Sequence, residues 1–126
     1  NPADDFHEYA VEWEEGEIRW YIDDIHYATQ TSDSWYTQYM KDGKLVNGEG
    51  AAPFDQNFHL ILNFAVGGNW AGNVNEKGID ESVFPQVFEI DYVRVYQCST
   101  NVETGKGCAA IDPAAKLVVG APQPEL

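Results

Sequence analysis

Phe6-His7-Glu8-Tyr9-Ala10-Val11-Glu12-Trp13-Glu14-Glu15-Gly16-Glu17-Ile18-Arg19-Trp20-Tyr21-Ile22-Asp23-Asp24-Ile25-His26-Tyr27-Ala28-Thr29 alternates between apolar and polar residues twice, with a turn signal after each run. Tyr9, Val11 and Trp13 fall on one face and Glu8 and Glu12 on the other, the period of two that a strand requires. Glu15-Gly16 reads as the first turn, and Ile18, Trp20 and Ile22 share a side of the next strand. Asp23-Asp24 reads as the second turn, with Ile25 to Thr29 returning. Working outward, Ser34 to Met40 is a short aromatic strand, and residues 41–56, with Asp42-Gly43, Asn47-Gly48 and Gly50, read as loop. The clearest alternation is Asn57 to Val66. There Phe58, Leu60, Leu62 and Phe64 form a core face, and Asn57, His59, Ile61, Asn63 and Ala65 a face polar enough to meet water or a ligand. Gly67 to Gly78 is a loop, and Phe84 to Gln97 a final strand, apolar and so covered on both faces. Five or six strands without an amphipathic helix predict an all-β fold, an antiparallel β-sandwich.

The 126 residues hold one domain and one core. Seven basic against 21 acidic residues give a net charge of −14, and the basic ones are scattered. That balance opposes binding to nucleic acid or to an anionic membrane surface. No apolar run approaches the ~20 residues of a membrane helix. No signal peptide opens the chain at Asn1, which is expected of a mature chain, a processed one or an excised piece of a longer one. Cys98 and Cys108 can close a disulfide; the alternative is two free thiols, and no zinc spacing surrounds them. A disulfide implies an oxidising compartment, extracellular or periplasmic. Residues 109–126 hold three of the six prolines and read as a linker or tail toward a further module, which leaves 1–108 as the domain.

Three sets of residues carry a resemblance to a known family. Asp5 to Trp13 with Ile18-Arg19-Trp20-Tyr21-Ile22-Asp23 is the first. Pro53-Phe54-Asp55-Gln56-Asn57-Phe58-His59-Leu60-Ile61-Leu62-Asn63, running into Ala65-Val66-Gly67-Gly68-Asn69-Trp70, is the second, and Ile90-Asp91-Tyr92-Val93-Arg94-Val95-Tyr96-Gln97 the third. In order and spacing, residues 4–108 resemble the C-terminal half of a glycoside hydrolase family 16 domain and are most similar to bacterial laminarinases, the endo-β-1,3-glucanases. The resemblance implies a concanavalin A-like jelly roll, of which this chain is about half.

The family's Glu-x-Asp-x-x-Glu signature is absent. Glu89-Ile90-Asp91-Tyr92-Val93-Arg94 ends in arginine and sits on another strand. Retaining hydrolysis needs two carboxyl groups about 5–5.5 Å apart. The adjacent pairs Asp4-Asp5, Glu14-Glu15 and Asp23-Asp24 lie on turns or point to opposite faces, so no catalytic residue is assigned to this chain. His7, His26 and His59 lack the elbow motif of a serine hydrolase around them.

For binding, Asn63 shares its face with His59, and in the resembling family this strand lines the concave sheet. An amide there donates to and accepts from sugar hydroxyls; the alternative is an amide satisfied by loop backbone. Trp70, with Asn69 beside it, is the stacking candidate of the glycine-rich loop, against packing beneath that loop. Trp35, with Tyr36, is a candidate for the cleft rim or for the core. The resemblance places a structural calcium near Asp91, with its remaining oxygen ligands in the missing N-terminal strand. No organic cofactor is expected. Three functions follow: part of a secreted endo-β-1,3-glucanase with upstream catalytic glutamates, a non-catalytic β-glucan-binding module, or an inactive self-associating fragment. The partners expected are β-1,3-glucan and either the missing half or a second copy.

Overall fold

The turns of the first hairpins are built by residues that tolerate positive φ. Gly16 (φ 80°) reverses the chain between β1 (Tyr9–Glu14) and β2 (Glu17–Ile22). Asp23 and Asp24, at φ 49° and 62°, reverse it again before β3 (Ile25–Thr31). Both central residues are left-handed there, the turn whose twist matches a hairpin. The Asp23 carboxylate also accepts from the Glu8 backbone N–H (3.0 Å) and pairs with His7 Nδ1 (2.7 Å). The His7 contact first, and the Glu8 N–H second, hold the Asp23 carboxyl below its ordinary range. The third hairpin, β4 (Gln38–Lys41) and β5 (Lys44–Asn47), closes on Asp42-Gly43 with φ 51° and 76°.

These strands belong to a computed structural model that describes residues 3–74, 77–121 and 123–126. Asn75 of the glycine-rich loop and Pro122 of the tail lie outside the described residues. The chain divides into two units: residues up to Asn57 with Tyr96–Leu126, and Phe58–Val95. In the first unit, β1, β2 and β3 pair antiparallel, and β6 (Lys116–Leu117) joins β3 in parallel, Ala28 facing Lys116. The pair β4–β5 forms a separate antiparallel sheet. The fold is all-β and its hairpins antiparallel, as the alternation predicts for an all-β sandwich.

The covered face of the larger sheet is the polar one. Arg19 lies opposite Glu12 and Glu14 opposite Glu17 across β1 and β2. The Arg19 side chain is only 2% exposed. It holds Glu14 through both terminal nitrogens (3.0 and 3.2 Å), Glu17 at 3.0 Å and Glu12 at 3.7 Å. Burial lowers the guanidinium's affinity for its proton, but the bond to Glu14 and the charges of Glu14, Glu17 and Glu12 outweigh it and raise its pKa.

Beside this cluster, segments after Cys98 cross the same face. The Tyr21 hydroxyl lies 2.5 Å from Glu12 Oε2 and 2.9 Å from the Ala110 carbonyl, while Ala110 N–H donates to Glu12 Oε1. Asp112 N–H donates to His26 Nδ1 (3.0 Å), so the His26 proton sits on Nε2 and is shared between Thr29 Oγ1 and the Ala28 carbonyl. Val118 N–H then bonds the Thr29 carbonyl, and Glu15 N–H the Thr104 carbonyl. Cys98 and Cys108 form the disulfide, which closes the loop that carries Thr104.

Two expectations are corrected. The first is that 57–66 and 84–97 are strands: neither is one, and the faces expected to be covered are open. Leu60 is 63% exposed and Val95 81%, with Phe58, Leu62, Phe64, Val87 and Phe88 all exposed. Alternation predicts which side chains share a face, but a strand exists only where a neighbouring backbone supplies the ladder, and no strand ladder among the described residues includes either segment. In the Phe58–Val95 unit, Phe64 stacks on Phe88 at 5.5 Å, and Arg94 lies over the Tyr92 ring at 4.1 Å. The second correction concerns 34–56. The strand there is confined to Gln38–Lys41, and the expected loop contains β5. Asp42-Gly43 is among the strongest two-residue hairpin signals, and it overrides the weak alternation of Lys44–Asn47.

Candidate functional site

Four of the sequence-derived binding residues belong to the Phe58–Val95 unit. Gly67, at φ 66°, leads into a single helical turn, α1 (Gly68–Ala71), and Gly72 N–H closes it on the Gly68 carbonyl. Asn73 fastens the turn from below: its N–H donates to the Trp70 carbonyl and its side-chain amide to the Asn69 carbonyl. A Cβ at Gly67 would approach Ile79 Cδ1 to 2.7 Å, so glycine is what lets the loop close over Ile79. Trp70 stands outward on this turn, 87% exposed, rather than packing under the loop. Asn69 beside it is exposed as well.

His59 and Asn63 are also exposed. With no strand between them, no pleat imposes the shared face that alternation predicts. No hydrogen bond or ring contact among the described residues joins His59, Asn63 and Trp70 to one another. Asp91 is exposed. Among the described residues no group of three or more His, Cys, Asp or Glu side chains is placed to hold a metal. Calcium takes six to eight oxygens, and Asp91 supplies one carboxylate, so the residues present do not by themselves fit that ion.

Trp35 belongs to the other unit and is half-buried. Its ring meets Phe54 edge-on at 5.1 Å and 86°. Its indole nitrogen is buried without a hydrogen-bond partner among the described residues. In the same unit lies a cavity of about 390 Å³ lined by Thr37, Tyr39, Ala52, Pro53, Asp55 and Gln56. None of these six stood out in the sequence for binding. The one available signal was the aromatic Tyr39 three residues before the Asp42-Gly43 turn, with Asp55-Gln56 following Pro53.

The carboxylates that gather in the first unit are committed to structure. Glu12, Glu14 and Glu17 converge on Arg19, and Glu12 also serves Tyr21 and Ala110. Lone pairs fixed this way do not present the acid and nucleophile that glycoside hydrolysis uses. Burial first, and Glu12 second, push the Tyr21 phenol far above its ordinary value of 10.0. It is a hydrogen-bond donor that stays protonated, not a base. Among the described residues, no helix is long and apolar enough to cross a membrane.

Several of the known proteins that this chain resembles carry a glucan in their names. The family model described as "Beta-glucan synthesis-associated protein SKN1/KRE6/Sbg1" matches residues 1–116. A beta-glucanase of Rhodothermus marinus is 44% identical over 96 residues, 74% of this chain and 29% of the relative. A glucan endo-1,3-beta-glucosidase A1 of Niallia circulans is 39% identical over 95 residues, 75% of this chain and 13% of the relative. A beta-1,3-glucan-binding protein of Penaeus monodon is 37% identical over 71 residues, 52% of this chain and 19% of the relative. No solved structure matches the chain. The chain spans less than a third of the length of these relatives. With the family match running from residue 1 to residue 116, the chain belongs to the beta-glucan synthesis-associated SKN1/KRE6/Sbg1 family.

Proposed function

We propose that this chain is the β-1,3-glucan-contacting portion of a secreted protein of the family-16 glycoside hydrolase type, resembling the C-terminal half of a laminarinase domain. The observation that carries the reading is Trp70, held outward on a hydrogen-bonded turn with amides beside it. A flat exposed indole offers the apolar C–H face of a glucose ring a stacking surface, and Asn69 and Asn63 offer both donor and acceptor to its hydroxyls. In the parent protein, retaining hydrolysis is carried by a glutamate pair outside this sequence. Any calcium at Asp91 draws its other ligands from outside it too.

A second reading, recognition without hydrolysis, is favoured by the engagement of Glu12, Glu14 and Glu17 with Arg19 and by the relative named a β-1,3-glucan-binding protein. Both readings make the same statement about this chain: it binds and does not cut. The test is affinity electrophoresis of the chain through gels containing laminarin, with reducing-end release measured in parallel. We expect retardation, no released ends, and at least a tenfold weakening (about 1.4 kcal/mol) in Trp70→Ala. Unretarded migration, with size rising with protein concentration, would instead mark a self-associating fragment.

A further inference from the structure

We infer that the cavity between the β4–β5 hairpin and residues 52–56 is a second sugar-binding subsite, selective for a neutral hexose unit. This inference rests on the β-glucan reading for its ligand class, but on a different unit of the chain from Trp70. The cavity, about 390 Å³, falls in the size range of small-ligand pockets, roughly 300–1,000 Å³. Its walls divide by chemistry. Tyr39, 51% exposed, presents a ring, and Pro53 and Ala52 add apolar surface, the partners a pyranose C–H face requires.

Asp55, Gln56 and Thr37 supply the polar groups. Gln56 Nε2 donates to Asp55 Oδ1 at 3.0 Å, which orients the two heads side by side. The second Asp55 oxygen and the Gln56 carbonyl remain as acceptors, and the second Gln56 N–H as a donor. Two adjacent sugar hydroxyls, each both donor and acceptor, match that set. No described residue bonds the Tyr39 or Thr37 hydroxyl. The Asp55 carboxylate, in a chain of net charge −14, repels uronic, sulfated or phosphorylated sugars.

The walls are held in place before any ligand arrives. Tyr39 faces Val46 across the hairpin. Phe54 N–H bonds the Ala51 carbonyl (2.8 Å), and the Phe54 carbonyl accepts from the Trp13 indole (2.9 Å). Trp35, half-buried, braces Phe54 edge-on. Gly48 N–H bonds the Thr37 carbonyl, and a Cβ there would stand 2.5 Å from Thr37 Cγ2 and 3.2 Å from Ala52 Cβ. Glycine at 48 therefore lets the two walls approach. Rigid walls reduce the ordering cost of binding.

The experiment is an NMR titration of the isotopically labelled chain with laminaritriose, following the Gln56 side-chain amide and the Trp70 indole N–H, with a galacturonic acid trimer as the acidic control. We expect the Gln56 amide to shift with laminaritriose and not with the acidic trimer. Tyr39→Ala should weaken that response at least fivefold, and Trp70→Ala should leave it within twofold. Gln56→Ala, at an exposed position, repeats the test through the Tyr39 ring resonances if Tyr39→Ala does not fold. A Trp70 response with a silent Gln56 amide overturns the subsite and leaves the glucan reading standing. A Gln56 response with a silent Trp70 supports the subsite and removes Trp70 from the reading. Silence at both overturns both.

Discussion

Replacing Arg19 with methionine keeps a long apolar stem and removes the charge that three carboxylates share. Arg19 is buried, and Glu14, its two-pronged partner, keeps only 12% of its side chain exposed. Removing one member of a buried pair costs about 3–5 kcal/mol, because the partners stay behind uncompensated. Here Glu12 and Glu17 are 33% and 29% exposed, so water takes up part of the charge they leave. The expected loss is therefore smaller, about 2–3 kcal/mol. In urea denaturation followed by tryptophan fluorescence, with Trp20 next to the mutated residue, that loss lowers the midpoint by roughly 1–2 M for a slope in the usual range. Adding Glu14→Gln and Glu17→Gln to Arg19→Met should recover more than about 1 kcal/mol, since the like charges go with the arginine. A midpoint for Arg19→Met within the error of the unmutated chain would refute the argument. The cluster would then offset its own desolvation and contribute nothing net.

Three further outcomes follow from the same face. Tyr21 has a folded pKa raised above its unfolded value near 10.0. Its contribution is whole below that pH and lost as pH rises through the folded value; urea midpoints should fall above pH 10 in the unmutated chain and less so in Tyr21→Phe. Cys98→Ser with Cys108→Ser opens a loop whose ends are 10 residues apart, with an expected cost of about 2–3 kcal/mol and faster hydrogen exchange at the Glu15 amide that bonds Thr104. Gly120→Ala places a methyl 1.8 Å from the Ser34 carbonyl, so the tail must move; a loss of about 1–3 kcal/mol in thermal unfolding is expected, with the Ser34–Val118 contact broken.

The part of the fold legible in the sequence is the part whose partners are neighbours in the chain. Glu15-Gly16 and Asp23-Asp24 return each strand against the one before it, so alternation and turn chemistry together determine β1, β2 and β3. For Asn57–Val66 the alternation is cleaner still, yet period alone supplies no neighbouring backbone, and the segment is not a strand. The buried face was the less legible one. Arg19, Tyr21 and His26 read as ordinary polar positions, because what covers them comes from about 90 residues later: Ala110 on Tyr21 and Asp112 on His26. The candidate sites divide in the same way. Trp70 and Asn69 announce themselves through the glycines around them, and the structure presents both to solvent. Tyr39, Asp55 and Gln56 meet only once the hairpin turns at Asp42-Gly43 and the chain returns through Pro53, and no local pattern encodes that meeting.

The most direct test of the glucan reading is calorimetric titration of the unmodified chain with laminarihexaose, with cellohexaose in the reference experiment. Saturable heat is expected with the β-1,3-linked hexamer and at least tenfold weaker binding of the β-1,4-linked one. No saturable heat with laminarihexaose, or equal affinity for the two, would contradict it.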